Sequence, residues 1–550
     1  MAFLELTYSL VDLKNSSLMW NHNGLLLVGV LLLTAQSINS MENCNDAPTE
    51  AIKITCKQIG KWDENTKDLP VTLSVRSGGA REPRSAYECL DISCLCRFFK
   101  GTRIFNKCLI GTKTLGKVVR KEYRVMSDGE RLRFHGAMWR IKQSGEYDKI
   151  SRVHSSFQTS PGAHSGPAFL PWHREFIKRV EIALRQVDPT IGLPYWDSTL
   201  DESLPDPTMS VLWSDELMGK PDSDGHVRRG AFRNWTILDG SRYFRRNIGA
   251  RGQLMTRREI DTVVTARDMS LLLSFTAPQR HCGKAGDWSA LEYIHGNPHV
   301  YTGGDMAVIP TATHDPIFFL HHSMMDLIWE EWRISRQSRS ERETAYPQND
   351  EACSSAAHFA NTTMTPFWPM VNMDGLSNKY TDNLYEYAPR PTCTRLKPNG
   401  CGSKYLFCDF SHGQPRCASK MMLGGRCNGY SSNEEPCYNG KCVRGVCVTT
   451  SETATQPVSP TEEDCFNDDQ CCGPWAARGE CTRNPPYMLT YCKASCGVCT
   501  PKTYDLKARC SNRHGNCARM RNEGHCQSKA SWMWENCRRA CKMCRQKPKC

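Results

Sequence analysis

Long apolar runs are nearly missing from this chain of 550 residues. The one that stands out, Gly24 to Leu33 (GLLLVGVLLL), is too short to span a bilayer comfortably. No later run is long enough to form a membrane helix. Cysteine is almost missing from the middle: of 30 cysteines, only Cys282 and Cys353 lie between Cys108 and Cys393. A stretch of that length without crosslinks has to build its own hydrophobic core. The central region also lacks blocks of like charge, although the net charge is +12, and no base-reading motif is present, so nucleic acid is not an expected partner. Strand-like alternation is scarce there too, and helical spacing dominates.

What is present lies at the two ends. Cysteines cluster from Cys44 to Cys108 and from Cys393 to Cys550. Such usage belongs to an oxidising compartment and to small domains stapled by disulfides. The apolar run and the small residues Ala35-Gln36-Ser37 behind it read as a signal peptide over residues 1–40, with a signal anchor as the alternative. The chain is therefore expected to be secreted, with Asn234 and Asn361 as glycosylation acceptors. The expected organisation is a cysteine-rich segment over 41–110, a core-forming domain over 111–390 and a second cysteine-rich segment over 391–448. A Ser/Thr/Pro-rich linker follows over 449–463. Two repeats close the chain, over 464–500 and 509–545: Cys465, Cys472, Cys481, Cys492, Cys496 and Cys499 recur with identical spacing as Cys510, Cys517, Cys526, Cys537, Cys541 and Cys544. Cys471 and Cys550 are left over and available to each other.

Within the core-forming domain, Ser127 to Gln143 has the cap and apolar spacing of an amphipathic helix. A second helix is expected from about Pro171 to Asp188-Pro189, with Phe176, Ile177, Val180 and Leu184 on its apolar face and Arg174, Glu175, Lys178 and Glu181 on the other. A third begins at Asp315-Pro316, an N-cap followed by a proline at the first helical position, and is apolar nearly all round to Trp332. Trp288 to His299 also has helical spacing, although Gly296 and Pro298 argue against its last turn. The fold class is mainly α: a central helical bundle flanked by small disulfide-rich domains.

Histidines carry the chemistry. His154, His164 and His173 form one group; His295, His299 and the adjacent pair His321 and His322 form another. His22, His226, His412, His514 and His525 read as structural, hydrogen-bonded side chains. Burying six imidazoles on apolar helices leaves many ring nitrogens in search of partners, and a metal resolves that need. A di-iron bundle requires two Glu-x-x-His pairs, and only Glu292-x-x-His295 fits. All-nitrogen ligation suits a pair of copper ions that cycle between two oxidation states and pass two electrons to dioxygen.

The stretches His164-Ser-Gly-Pro-Ala-Phe-Leu-Pro-Trp-His173-Arg174 and Asp315-Pro-Ile-Phe-Phe-Leu-His-His322-Ser-Met-Met-Asp326 resemble the two copper motifs of the type-3 copper family, which comprises tyrosinases, catechol oxidases and molluscan haemocyanins. The resemblance runs from about Val119 to Tyr387, where Arg120 and Tyr385-Glu386-Tyr387 resemble the marks that bracket the family's core domain. It implies two copper ions and O2 as co-substrate. His154, His164 and His173 would hold one ion and His295, His299 and His322 the other, the spacing to Asp326 selecting His322 over His321. It gives Glu292 the role of holding a water beside an incoming phenol, together with an Asn that many strongly hydroxylating members carry after the histidine; Gly296 stands there instead. Catechol oxidation is then expected ahead of monophenol hydroxylation. Gly162 replaces a cysteine that is crosslinked to a histidine in fungal and molluscan relatives, so no thioether is expected. No shielding C-terminal domain is recognisable, although Cys393 to Cys447 is placed to lie over the site.

The terminal repeats resemble ShK modules. That likeness implies the disulfides Cys465–Cys499, Cys472–Cys492, Cys481–Cys496, Cys510–Cys544, Cys517–Cys537 and Cys526–Cys541. The Lys-Tyr pair of channel-blocking toxins falls at Pro486-Tyr487 and Ser531-Trp532, so channel block is not expected and the modules read as adhesion or spacing units. The expected activity is oxidation of catechols, with monophenols open, to quinones. The substrates are small or are protein-bound tyrosyl groups, and the setting is a matrix or cuticle that the ShK modules help to hold. Two other readings remain: haemocyanin-like oxygen binding, and an adhesion protein with an inactive copper domain.

Overall fold

The structure is a computed structural model that describes residues 44–73, 82–278, 282–284, 286–449 and, with short gaps, 465–550. The expected signal peptide lies outside the described residues, as does nearly all of the expected linker. Among the described residues, eight helices of more than one turn organise the first two thirds of the chain: α1 (Glu50–Thr66), α2 (Ile92–Phe98), α3 (Asp128–Gln143), α4 (Glu146–His154), α5 (Phe169–Val187), α6 (Arg257–Val264), α7 (Leu291–Thr302) and α8 (Ile317–Arg336). Among the described residues no helix is long and apolar enough to cross a membrane.

Local chemistry sets the ends of these helices. Ser127 and Glu130 form a reciprocal capping box at the start of α3, and Thr256 and Glu259 do the same for α6. Helix α5 begins at Phe169, two residues ahead of the expected proline, and stops at Val187 before Asp188-Pro189. Helix α7 runs on through Pro298 to Thr302. It survives the missing N–H because it is packed between neighbours: α1 lies against it along its length, and His321 of α8 meets the carbonyl of His295 at 2.9 Å.

Strands are short and serve as clasps. Three of them, β1 (Thr102–Ile104), β2 (Lys107–Ile110) and β3 (Lys113–Leu115), form an antiparallel sheet. That sheet carries the N-terminal segment past the expected boundary at 110. β4 (Val118–Arg120) and β5 (Tyr385–Tyr387) pair in parallel, Arg120 opposite Tyr387, and so tie together the two ends of the domain between them. The first cysteine-rich segment is not a satellite. Ile52, Cys56 and Ile59 of α1 pack into one core cluster with Leu291, Ile294 and Ile328.

The polar face expected on α5 is buried instead: Arg174, Glu175, Lys178 and Glu181 are all at most 1% exposed. Arg174 finds Asp326 and Glu330 on α8, and the other three find partners on covering segments. Tyr380 donates to Glu175 at 2.6 Å, Lys178 to the carbonyl of Tyr87 at 2.6 Å, and Arg120 to Glu181 at 2.9 Å. Helical spacing identifies a polar face, and only tertiary pairing decides whether that face sees water.

Fifteen disulfides join all the cysteines, including the six pairs within the two repeats and Cys471–Cys550. The segment after Tyr387 forms two small hairpins, β6 (Leu406–Asp409) with β7 (Arg416–Ser419) and β8 (Lys441–Val443) with β9 (Val446–Val448). Tyr405 anchors the first hairpin near the start of α3, accepting from Arg131 at 2.8 Å.

Candidate metal centre

Four helices and one loop deliver the histidines. His154 closes α4, His164 lies in the loop before α5, and His173 sits in the first turns of α5. His295 and His299 are one turn apart on α7, and His321 and His322 are on α8. The structure gathers His154, His164 and His173 into one triad and His295, His299 and His322 into another, the ligand atoms within each lying within 4.8 Å of one another. The triads face each other. The rings of His173 and His322 stack with centroids 4.3 Å apart.

Ring orientation is fixed from behind. His173 donates Nδ1–H to the carbonyl of Phe169 at 2.9 Å, His299 to that of Met306 at 2.9 Å, and His295 to that of Glu292. Each bond leaves Nε2 as the free lone pair. The Nε2 atoms of His154 and His164 approach to 3.0 Å, and those of His299 and His322 to 3.3 Å. Two nitrogens each about 2.0–2.1 Å from one ion sit about 3 Å apart, so these separations suit ligands of a shared metal. Nε2 of His173 is buried with no partner among the described residues. Burial, reinforced by neighbouring imidazoles, pushes the rings of His154, His173, His295 and His322 well below the ordinary histidine range and brings His299 to about 4. Neutral imidazole is the form that binds metal, so the donor set fits a dinuclear copper centre.

His321 points elsewhere, its Nε2 engaged by the backbone carbonyl of His295. Glu292 lies outside the cavity that the histidines enclose. One of its oxygens accepts from the backbone N–H of Ser165 at 2.8 Å, and the other from the hydroxyl of Thr276. The same Oε1 is 3.7 Å from Nδ1 of His164, where its charge favours a proton on that nitrogen and leaves Nε2 to the metal. Asp326, one turn beyond His322, receives Arg174, Arg120, Tyr385 and Tyr387. Burial alone would raise its carboxyl; the two guanidinium charges outweigh that and hold it below the usual carboxylate range.

Several residues at the site had no role in the reading of the sequence. Phe169 packs on His164, His173, His295 and His322, and Phe318 on His154, His173, His299 and His322, so each phenylalanine supports both triads. Both occur inside the quoted motifs, which was the available signal. Helix α1 gave no such signal. Its Thr55, Gln58 and Ile59 line the histidine cavity, and the Trp62 ring lies 5.1 Å from that of His164. Among the described residues, none of 391–448 lines that cavity, so the cover comes from the N-terminal side.

Comparison with known proteins agrees with this geometry. The family profile "common central domain of tyrosinase" matches residues 144–335, and the ShK domain-like profile matches 464–499 and 509–544. A tyrosinase-like protein of Caenorhabditis elegans is 47% identical over 511 residues, which cover 87% of this chain and 73% of that protein. The chain belongs to the tyrosinase family. A tyrosinase of Streptomyces antibioticus is 34% identical over 231 residues, covering 39% of this chain and 82% of its own. A solved polyphenol oxidase from Thermothelomyces thermophila aligns with 50% of this chain and 89% of its own at 20% identity and a TM-score of 0.39. As a family member the chain is a copper oxidoreductase of the tyrosinase type, with a dinuclear type-3 copper cofactor.

Proposed function

We propose that His154, His164 and His173 hold one copper ion, that His295, His299 and His322 hold the other, and that the secreted protein uses them to oxidise catechols to quinones. The observation that carries this reading is the convergence of Nε2 atoms, at 3.0 Å in one triad and 3.3 Å in the other, in a set where His173, His295 and His299 turn their far nitrogens to backbone carbonyls and His164 turns its own toward Glu292. A copper pair supplies a two-electron reservoir for dioxygen. The balance is two catechols and one O2 giving two quinones and two waters. The chain's own part is to fix six rings, keep them neutral by burial, and exclude bulk water with Phe169 and Phe318. Glu292 orients His164 in this scheme, and the Arg174–Asp326 pair sets the two helices that bring His173 to His322. Gly296, standing where strongly hydroxylating relatives carry Asn, supports catechols over monophenols. The cysteine framework supports secretion, and the paired ShK modules, with the basic residues Arg538, Arg539, Lys542, Arg545, Lys547 and Lys549 in the last stretch of sequence, support retention on a matrix, where quinones would crosslink neighbouring polymers.

A second reading, reversible oxygen binding, draws on the size of the histidine cavity. At about 20 Å³ it has room for one or two water-sized molecules and none for an aromatic ring. Oxygen uptake and copper content decide between the two. Copper-loaded protein is expected to consume oxygen steadily with dopa and more slowly with tyrosine, and His173→Ala or His322→Ala is expected to lose one of two coppers together with nearly all uptake. Oxygen bound reversibly without catechol turnover would favour the carrier.

A further inference from the structure

A larger cavity of about 500 Å³ opens on the same flank of α1, lined by Ile54, Gln58, Lys61 and Trp62 of that helix and by the segment from Val300 to Pro310. The two cavities share the walls Gln58, Val300, Ala307 and Ile309. A benzene ring needs a cavity of about 150 Å³, so the outer space accepts a phenol that the inner one refuses. Between them stands the Gln58 side chain, its Nε2 donating to the carbonyl of Ala307 at 2.8 Å and its Oε1 accepting from the N–H of Ile309 at 3.0 Å. Trp62 and Phe157 give the outer cavity an aromatic wall, their rings 4.7 Å apart. Two cations, Lys61 and Arg251, line it and, among the described residues, no carboxylate does; Glu50 meets Arg251 from outside, at 3.5 Å in an exposed pair.

We propose that this outer cavity is the docking site for a phenolic substrate bearing a carboxylate, and that the Gln58 side chain is the barrier the ring displaces to reach the histidines. The proposal rests on the phenol-oxidase reading and names the substrate class of that site. The ring stacks on Trp62 and Phe157, and the anion faces Lys61 and Arg251.

The test separates docking from chemistry. Full-length protein stripped of copper is titrated by calorimetry with 3-(4-methoxyphenyl)propionate, whose ether cannot be oxidised as a phenol, and with the matching amide. The acid is expected to bind about three- to five-fold more tightly, the size of one or two exposed ion pairs, and Lys61→Met with Arg251→Met is expected to abolish the difference. Copper-loaded Gln58→Ala, and Gln58→Met as the variant that keeps the packing volume, are expected to raise kcat/KM for 3-(3,4-dihydroxyphenyl)propionate about ten-fold, as two hydrogen bonds are lost. Equal binding of acid and amide, or no saturable binding, overturns the docking site. An unchanged or lower kcat/KM in both Gln58 variants at full copper content overturns the barrier. Acid binding without oxygen uptake on any catechol would instead overturn the phenol-oxidase reading, and brisk catechol turnover without acid binding would leave that reading standing alone.

Discussion

Arg174 donates from Nε to Oδ1 of Asp326 at 2.5 Å, which joins the residue after His173 to the residue one turn beyond His322. The pair is buried, and Arg174 also reaches Glu330 at 2.9 Å. The two helices that carry one histidine from each triad are thus locked in register by charge at their shared face. An ion pair at this depth adds little net stability by itself; its effect is to specify one packing, because every alternative leaves a charge unpaired.

Asp326→Asn therefore takes one carboxylate from two buried guanidinium groups, leaving Arg174 with Glu330 and Arg120 with Glu181. Breaking a buried pair on one side costs about 3–5 kcal/mol, and denaturant unfolding is expected to show a loss of that order. Tyr385→Phe, which removes a single 2.7 Å hydrogen bond to the same carboxylate, is expected to lose only about 1–2 kcal/mol. Equal losses in the two variants would show that Asp326 is not the hub.

His321 and His322 are neighbours on α8 with different tasks. His321→Ala removes a bond to the backbone carbonyl of His295 and is expected to leave two coppers per chain with some loss of thermal stability. His322→Ala is expected to leave one. Metal analysis of the purified variants checks the assignment, and loss of a copper from His321→Ala alone would reverse it.

Acid should weaken the support of His299. Met306, whose carbonyl holds that ring, follows Asp305, and Asp305 accepts from Arg242, the backbone N–H of Arg245 and His314. Burial alone would raise its carboxyl; the Arg242 and His314 contacts and the Arg245 N–H outweigh that and lower it. A carboxyl depressed in the folded state contributes stability above its unfolded pKa of about 3.9 and loses it as pH falls toward the lower folded value. The thermal midpoint is expected to drop below about pH 4, and Asp305→Asn is expected to flatten that drop while lowering the midpoint at neutral pH.

The sequence made the α-helical class and the histidine grouping legible because both depend on local pattern. Apolar spacing marks a helix whatever it packs on, and two long motifs place their histidines at fixed positions along α5 and α8. Contacts between distant segments left no such trace. Nothing around Glu50 to Thr66 indicates that Gln58 will bond with Ala307 and Ile309, some 250 residues away (separations of 249 and 251). The polar residues of α5 looked solvent-facing for the same reason, since their partners Tyr87, Arg120 and Tyr380 are remote in the chain. The water-holding role of Glu292 is what the family resemblance implies, and the donors that occupy its carboxylate, Ser165 and Thr276, come from outside its helix and left no local mark.

Gly296 joins these strands. A Cβ added there would stand 1.9 Å from Oγ1 and 2.7 Å from Cβ of Thr55, so α1 lies against α7 at a point where only glycine fits. The Asn that promotes hydroxylation in relatives cannot be installed while α1 keeps this position. Gly296→Asn alone is expected to lose about 1–3 kcal/mol by overpacking and to gain no tyrosine hydroxylation that its disturbed packing does not confound. Thr55→Gly combined with Gly296→Asn clears the space, and its unfolding midpoint is expected to recover toward that of Thr55→Gly alone. The ratio of tyrosine to dopa turnover in that double variant then isolates the side chain at 296. A rise would assign control of monophenol hydroxylation to position 296, and an unchanged ratio in a stable double variant would place that control elsewhere in the cavity wall.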